Sequence, residues 1–336
     1  MTDSDALSRR RFIRIVAMAG VAGLAVKFGL DDARPVTVTD TRMMMGTVVN
    51  LTVLAGNQVA AEQAVAACLG RMQALEGILS RFKGDSQLSC LNRRGILASP
   101  DPALVELIGM SNRVSHLSGG AFDITIKPLV DLYMQEFASG IGLPSARAIA
   151  QSLQLVGHGQ IEADAEHIAF GMPGMAITLD GIAKGYIIDE GVAQLRKLGF
   201  PNVIVEAGGD LMAAGEKGRG AAWEVGIKSP RPQQSELLAR IAVRNQAVAT
   251  SGDYMQAYTS DFEHCHIIDP RTGYSSKELA SATITAPSAA LADCLATTLM
   301  VLGPEAGLGL MKQFPDCQAC LVTKEMKVIT TDGFDL

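Results

Sequence analysis

The chain has 336 residues with a formal net charge of −6, and 48% of its residues are hydrophobic while 19% are charged. This length and composition predict one large or two ordinary globular domains and exclude a disordered chain. The acidic balance gives no electrostatic reason to expect nucleic acid as a partner.

The first segment, 1–34, is predicted to be an export signal and linker that lies outside the fold. An arginine pair, Arg9 and Arg10, precedes Phe12 and an apolar, alanine- and glycine-rich run that ends at Leu30. This order is typical of a twin-arginine signal and predicts a periplasmic protein. An uncleaved membrane anchor is the alternative, although the glycines and the lysine of this run make it a poor membrane span.

Strand-like and helix-like segments alternate from residue 35 onward. The β-branched run from Thr47 to Ala55 predicts a strand that ends at a Gly-Asn turn. Apolar residues at helical spacing predict a helix over 58–82. The segment 99–120 carries a proline in its first turn and a glycine pair at its end, which predicts a second helix.

The later segments continue the mixed pattern. Strands are predicted at 202–209 and 282–286, and a long helix closed by glycine is predicted at 288–303. A short apolar strand is expected to run into Asp180, with a helix that opens around Ala183. Since no Gly/Ser-rich linker divides the chain, we predict a single α+β domain over 35–336. This domain would have two lobes, and its loops would carry the function.

The cysteines do not indicate a catalytic or metal-binding function. Of the six cysteines, Cys317 and Cys320 have a spacing that would permit a disulfide in an exported chain, and their redox state stays open. A zinc site would need a second cysteine pair nearby, which the sequence lacks.

The long late helix carries a carboxylate and a hydroxyl on one face. Asp293 and Thr297 are four positions apart, so their side-chain oxygens can point at one place. Such hard oxygen atoms are ligands that Mg²⁺ or Ca²⁺ accepts. The alternative is an ordinary hydrogen-bonded pair on the helix surface.

Three further motifs contain groups suited to chemistry. The turn around Lys184 combines backbone N–H groups with a positive charge, which favours an anion, although an ordinary strand-to-helix turn has the same pattern. Asp123 follows a glycine pair and an aromatic residue, as expected where a planar ring meets backbone. His264 and His266 precede an Asp-Pro turn, and a histidine is well matched to proton transfer near neutral pH.

Taken together and in this order, these motifs closely resemble those of the ApbE family of FAD:protein FMN transferases. The resemblance covers essentially the whole chain after the predicted signal. The motifs that carry it are MMGT, SRFKGDSQLSCLN, GGAFDITIKPL, LDGIAKGYIID, NVIVEAGGDL, WEVGIKSP, AVATSGDY, HIIDPRTG, ADCLATT and TTDGF.

The resemblance implies a Mg²⁺-dependent enzyme that cleaves FAD, releases AMP and attaches FMN to a Ser or Thr of an acceptor protein. It implies an ApbE-like domain with the flavin site between its lobes and His266 as the general base. Metal ligands are implied at Asp293, Thr297 and the backbone carbonyl of Ala183. Some family members carry a second carboxylate where this chain has Ala296. Flavin contacts are implied at Met45, Phe82, Ala121, Phe122, Asp123, Asp180, Tyr186 and Ile268.

Two other activities would use the same residues. A FAD pyrophosphatase would release free FMN and AMP, and a non-catalytic periplasmic protein would only bind the flavin. The acceptors of the family include membrane electron-transfer subunits. Exported members resemble the NosX type of nitrous oxide respiration, whose partner would be the membrane regulator NosR.

Overall fold

An eight-stranded, fully antiparallel sheet is the centre of the computed structural model, which describes residues 36–231 and 236–336. The strand order is β1-β2-β6-β7-β10-β11-β12-β13, while β3-β5-β4 and β8-β9 form two smaller sheets. The predicted export signal lies outside the described residues. In the described parts of the chain the strands are β1 (Val36–Met44), β2 (Thr47–Ala55), β3 (Ile96–Ala98), β4 (Ile161–Ala163), β5 (His167–Phe170), β6 (Val203–Ala207), β7 (Asp210–Ala214), β8 (Trp223–Lys228), β9 (Leu237–Val243), β10 (Gln246–Gly252), β11 (Leu279–Ala286), β12 (Gln318–Thr323) and β13 (Val328–Thr330).

Seven α-helices accompany these sheets in the described residues. They are α1 (Gln58–Leu79), α2 (Gln87–Arg94), α3 (Pro102–Leu117), α4 (Lys127–Ala138), α5 (Ala146–Leu153), α6 (Ala183–Lys197) and α7 (Ala289–Met311). The described residues form one unit, and the mixture of helices and strands confirms the predicted α+β class.

The central strands of the large sheet are buried on both faces, whereas the edge strand β1 has no buried residue. Helices α1, α6 and α7 pack on one face and form the main apolar core with β2, β6 and β11. On the other face, the β8–β9 hairpin covers β7 and β10 with Trp223 and Val225. Since β11 has neighbours on both sides and both faces, all eight of its residues are buried. This sheet is therefore a rigid base for the loops at its ends.

Helix α7 is one helix by hydrogen bonding but two by backbone geometry. Gly303 has φ 74° and Pro304 follows inside the helix. Because proline cannot donate to the preceding turn, the axis breaks there. By length and hydropathy alone α7 could cross a membrane. It instead packs against β10, β11 and α6, and its first turns carry Asp293 into the interior.

The structure differs from one local expectation and answers one question that the sequence left open. Residues 175–179, which lead into Asp180, form no strand, although a short strand was expected there. The backbone of Ile177 is bonded instead to the side-chain amide of Asn92, at 2.7 and 2.8 Å. Cys317 and Cys320 are both free thiols. Cys317 packs in the core on the helical face, whereas Cys320 packs under the β8–β9 hairpin, so no disulfide joins them.

Candidate active site

Helices α6 and α7 meet at Gly185 with no room for a side chain between them. A Cβ atom at Gly185 would lie 2.2 Å from the carbonyl oxygen of Ala289. One turn further along α6, the carboxylate of Asp189 accepts the N–H groups of Ala289 and Ala290 at 2.8 and 2.9 Å. Since these are N–H groups of the first turn of α7, which has no intrahelical partner for them, Asp189 fixes the start of α7 against α6.

Asp293 faces this junction from α7 and is only 5% exposed. Its Oδ2 atom accepts one hydrogen bond, at 3.3 Å, from the N–H of Gly185. Burial raises the pKa of this carboxyl above its ordinary value, and the positive charge of Lys184 opposes the shift. A buried carboxylate with one long hydrogen bond keeps lone pairs for a further partner, and a cation would relieve the cost of its burial.

Thr297 lies one turn after Asp293 and points at the chain that leads into α6. Its Oγ1 atom is 3.1 Å from Oγ of Ser251 on β10. A Cβ atom at Gly181 would lie 3.0 Å from the same hydroxyl oxygen, so this turn lies directly against Thr297. The predicted metal ligands Ala183, Asp293 and Thr297 therefore belong to two segments that meet at one junction.

The donor set at this junction fits Mg²⁺. Among residues 36–231 and 236–336 no group of three or more His, Cys, Asp or Glu side chains could hold a metal ion by itself. Mg²⁺ in proteins is commonly bound through one or two carboxylates, with water and substrate phosphates completing the octahedron. A single carboxylate, a hydroxyl and a backbone carbonyl match that pattern. Ala296 is fully buried in the apolar core and adds no ligand.

The sequence suggested that Lys184 could bind an anion, but in the structure its ammonium group already has a partner. Its ammonium group is bonded to Asp210, whose side chain is almost completely buried. The other oxygen of Asp210 accepts the N–H of Thr250 at 3.1 Å. Lys184 thereby ties α6 to β7 and β10 and places one positive charge near Asp293.

The predicted flavin contacts differ in their exposure. Phe82 is 76% exposed, and the guanidinium carbon of Arg81 lies 4.3 Å from the centre of its ring. Arg81 also donates to Asp180 at 2.7 Å, which brings Asp180 to the same surface. Met45 occupies the tight β1–β2 turn with φ 52°, and its N–H donates to Glu76 at 2.9 Å. An exposed aromatic ring beside these residues is a ready surface for stacking a planar ligand.

Ala121, Phe122 and Asp123 form a buried loop. The carboxylate of Asp123 accepts bonds from the N–H and hydroxyl of Thr125 and from the N–H of His158. Because its oxygens are engaged in this way, Asp123 fixes the loop that carries Phe122. The ring of Phe122 in turn approaches within 3.3 Å of the position of a Cβ on Gly181.

Tyr186 and Ile268 are buried against protein. The hydroxyl of Tyr186 donates to Glu106 on α3 at 2.9 Å, and the ring lines a cavity of about 370 Å³ between α3, α6 and the start of α7. Ile268 is part of a separate apolar cluster with Leu129 and Tyr133. The side-chain positions therefore leave the flavin roles of Tyr186 and Ile268 as predictions.

His266 is presented by a loop that is held at its base. The loop starts at Asp253, a completely buried carboxylate that makes a two-point ion pair with Arg231 at 2.9 and 2.8 Å. Within the loop the N–H of His266 donates to the carbonyl of Gln256 at 3.0 Å. Nδ1 of His266 is buried without a hydrogen-bond partner. Burial lowers the pKa of this imidazole, although Asp180 and Asp253 act in the opposite direction. A neutral imidazole is the form that accepts a proton.

Several residues of this site are not evident from sequence alone. Ser251, Asp189, Asp210 and Arg231 each act on a residue far away in the chain. The sequence indicates these residues only in part. Ser251 and Asp189 lie in glycine-rich segments that are recognisable as candidate functional loops. The pairing of Arg231 with Asp253 has no sequence signature.

Comparisons with known proteins agree with this geometry. The sequence pattern of the ApbE family matches residues 45–321. A protein of Klebsiella pneumoniae (strain 342) named FAD:protein FMN transferase is 31% identical over 81% of this chain and 80% of its own length. The apo flavinyl transferase ApbE of Pseudomonas stutzeri matches with a TM-score of 0.77 and 27% identity, covering 91% of this chain and 99% of that one. The ApbE protein of Thermotoga maritima matches with a TM-score of 0.79 and 26% identity, covering 89% and 98%. The chain belongs to the ApbE family.

Proposed function

We propose that this protein transfers FMN from FAD to a Ser or Thr hydroxyl of an acceptor protein with the help of Mg²⁺, and releases AMP. The observation that carries the proposal is the meeting of Asp293 and Thr297 with the start of α6 at Gly181 and Gly185. The names of the relatives support the same activity.

The residues at this junction suit phosphoryl transfer. The acceptor hydroxyl oxygen would attack the FMN-side phosphorus of FAD, the bond to the bridging oxygen would break, and AMP would leave with that oxygen. His266 would take the hydroxyl proton, because its imidazole is held neutral by burial. When bound by Asp293, Thr297 and the carbonyl of Ala183, Mg²⁺ would neutralise charge on the phosphates.

Mass spectrometry of the acceptor tests this proposal. The protein is incubated with FAD, Mg²⁺ and a protein that carries a candidate Ser or Thr site. We expect the acceptor to gain the mass of FMN less one water, with one AMP released per adduct. Free FMN and AMP without an adduct would instead identify a FAD pyrophosphatase, and intact FAD would identify a flavin-binding protein. Either outcome, with an acceptor that a relative from the family does modify, would contradict the proposal.

Replacing His266 by glutamine is expected to slow transfer by about 100-fold or more, because general base catalysis typically contributes that much. The initial rate of adduct formation measures the change. His264→Gln is the matched control, since His264 lies on the same loop and also has a buried Nδ1 atom without a partner. Equal rates for the two variants would remove His266 from the mechanism.

The pH profile gives a separate measure of the same group. Because burial lowers the pKa of His266 below the ordinary value of 6.5, the imidazole stays neutral to a lower pH than a free histidine. We expect transfer to lose activity on the acid side with a midpoint below 6.5. The same depressed pKa costs folding stability as the pH falls below 6.5, since only the unfolded chain then binds the proton freely. An acid limb above 6.5 that disappears in His266→Gln would show that the pKa is raised instead.

The location and the acceptor are part of the proposal. The arginine pair and apolar run within 1–34 support export by the twin-arginine route to the periplasm. The acceptor would then be an extracytoplasmic electron-transfer protein, and NosR in nitrous oxide respiration is the candidate. Fractionation of cells that express the full chain, with and without Arg9→Lys and Arg10→Lys, tests the route, because the double variant is expected to remain in the cytoplasm.

A further inference from the structure

Two adjacent threonines of α7 use their hydroxyl groups differently. The hydroxyl of Thr298 donates to the carbonyl of Cys294, one turn back in the same helix, at 2.7 Å. A threonine inside a helix commonly donates its hydroxyl hydrogen bond to a backbone carbonyl of the preceding turn. The hydroxyl of Thr297 is paired instead with Ser251 on β10, at 3.1 Å.

The direction of that bond decides what the Thr297 oxygen can do. A hydroxyl has one proton and two lone pairs. An oxygen that binds a cation must direct a lone pair at the cation and its proton elsewhere. Ser251, which lies on β10 and not on α6, offers an acceptor for this proton at 3.1 Å.

Ser251 is well fixed for such a task. It is 9% exposed, and its backbone lies opposite Ala282 in the β10–β11 ladder. Helix α7 packs directly on both of these strands. The chain also has Ala296 at the position where a second carboxylate would add charge to the site. The affinity for the metal therefore depends more strongly on the orientation of each remaining ligand.

We propose that Ser251 is a positioning residue that accepts the Thr297 proton and thereby turns the Thr297 lone pairs toward the Mg²⁺ site. The inference rests on the proposed metal site, and Ser251 itself does not contact the ion. Residues that orient metal ligands in this way typically change metal affinity 10- to 100-fold when they are replaced.

Binding of Mn²⁺ as a probe ion tests this role without any measurement of transfer. Mn²⁺ is titrated into the flavin-free full chain and followed by electron paramagnetic resonance, with Mg²⁺ as competitor. Ser251→Ala is expected to raise the Mn²⁺ dissociation constant about 10-fold or more. Ser251→Thr keeps a hydroxyl at the same position and is expected to restore affinity to within about threefold.

Thr283→Val is the matched control. The hydroxyl oxygens of Thr250 on β10 and Thr283 on β11 form a hydrogen bond of 2.9 Å between the same two strands. Thr283→Val removes this bond and leaves Thr297 unchanged. We expect unchanged Mn²⁺ affinity for this variant. A comparable loss in Thr283→Val and Ser251→Ala would mean that the effect is general damage to the sheet, and the inference would be wrong.

Two further outcomes separate this inference from the proposed function. Equal or tighter Mn²⁺ binding by Ser251→Ala would show that Ser251 donates to Thr297 or is indifferent to it, which would overturn the inference alone. If the unsubstituted protein and Asp293→Asn bind Mn²⁺ equally, the metal site itself is wrong and both fail. Circular dichroism of each variant confirms that the sheet is intact before the titrations are compared.

Discussion

Replacing Asp293 by asparagine is expected to lower the rate of FMN transfer at least about 1,000-fold, equivalent to about 4 kcal/mol of transition-state stabilisation. Asparagine has the same shape and can still accept the N–H of Gly185, so the helix junction remains. It lacks the negative charge with which Asp293 would bind a divalent cation in the proposed site. The rate of adduct formation at saturating FAD and Mg²⁺ measures the loss.

The fold of Asp293→Asn should be as stable as that of the unsubstituted protein or more so. Burial raises the pKa of Asp293, so the folded chain without a cation carries a cost for the charged form that the amide removes. Glu206→Gln is the control, because Glu206 is also a buried carboxyl with a raised pKa, bonded to Asn50 and Gly209. We expect its transfer rate to stay within about tenfold. Full activity in Asp293→Asn would disprove the metal role of α7.

Replacing Gly185 by alanine is expected to destabilise the protein by about 3 kcal/mol, at the upper end of the usual cost of overpacking. The added Cβ would lie 2.2 Å from the oxygen and 2.4 Å from the carbon of the Ala289 carbonyl. Both are backbone atoms in the first turn of α7, so the two helices must separate. Such a shift also weakens the bonds of Asp189 to α7 and of Gly185 to Asp293. Unfolding in guanidinium chloride, followed by circular dichroism, measures the free energy of unfolding.

Gly191→Ala on the same helix is the matched control. The atoms nearest to its Cβ would be the sulfur atoms of Met72 and Cys68, at 3.0 and 3.2 Å, and a methionine side chain can move. Both substitutions gain the same helix propensity, roughly 1 kcal/mol, which cancels in the comparison. We expect Gly191→Ala to lose at most about 1 kcal/mol. If Gly185→Ala is no less stable than this control, α6 and α7 are not in backbone contact.

The elements that could be predicted from sequence are those with a local signal. The strand Thr47–Ala55 was predicted with its observed bounds, because alternating β-branched residues end at a Gly-Asn turn. The helix predicted over 58–82 ends at Leu79, because the backbone of Ser80 is extended, with φ −80° and ψ 124°. The run 175–179 was mistaken for a strand because its partner is the side chain of Asn92, which no local pattern reveals.

The site residues, too, could be predicted only where the sequence has a local pattern. Helical spacing placed Asp293 and Thr297 on one face, and the glycine-rich motif located the start of α6 that they meet. The hydroxyl partner of Thr297 and the carboxylate partner of Lys184 could not be predicted, because Ser251 and Asp210 reach them only through the pairing order of the central sheet. Phe82 was predicted as a flavin contact through family resemblance, while no local pattern indicates that the neighbouring Arg81 pairs with Asp180.

The six free thiols have a consequence for how this protein matures. Cys317 and Cys320 lie on opposite sides of β12, and the core closes around them without any sulfur–sulfur bond. The chain therefore needs no oxidant to reach its final structure, and a compartment rich in glutathione is no obstacle to it. Reducing conditions are therefore compatible with the complete fold, including the junction of α6 and α7.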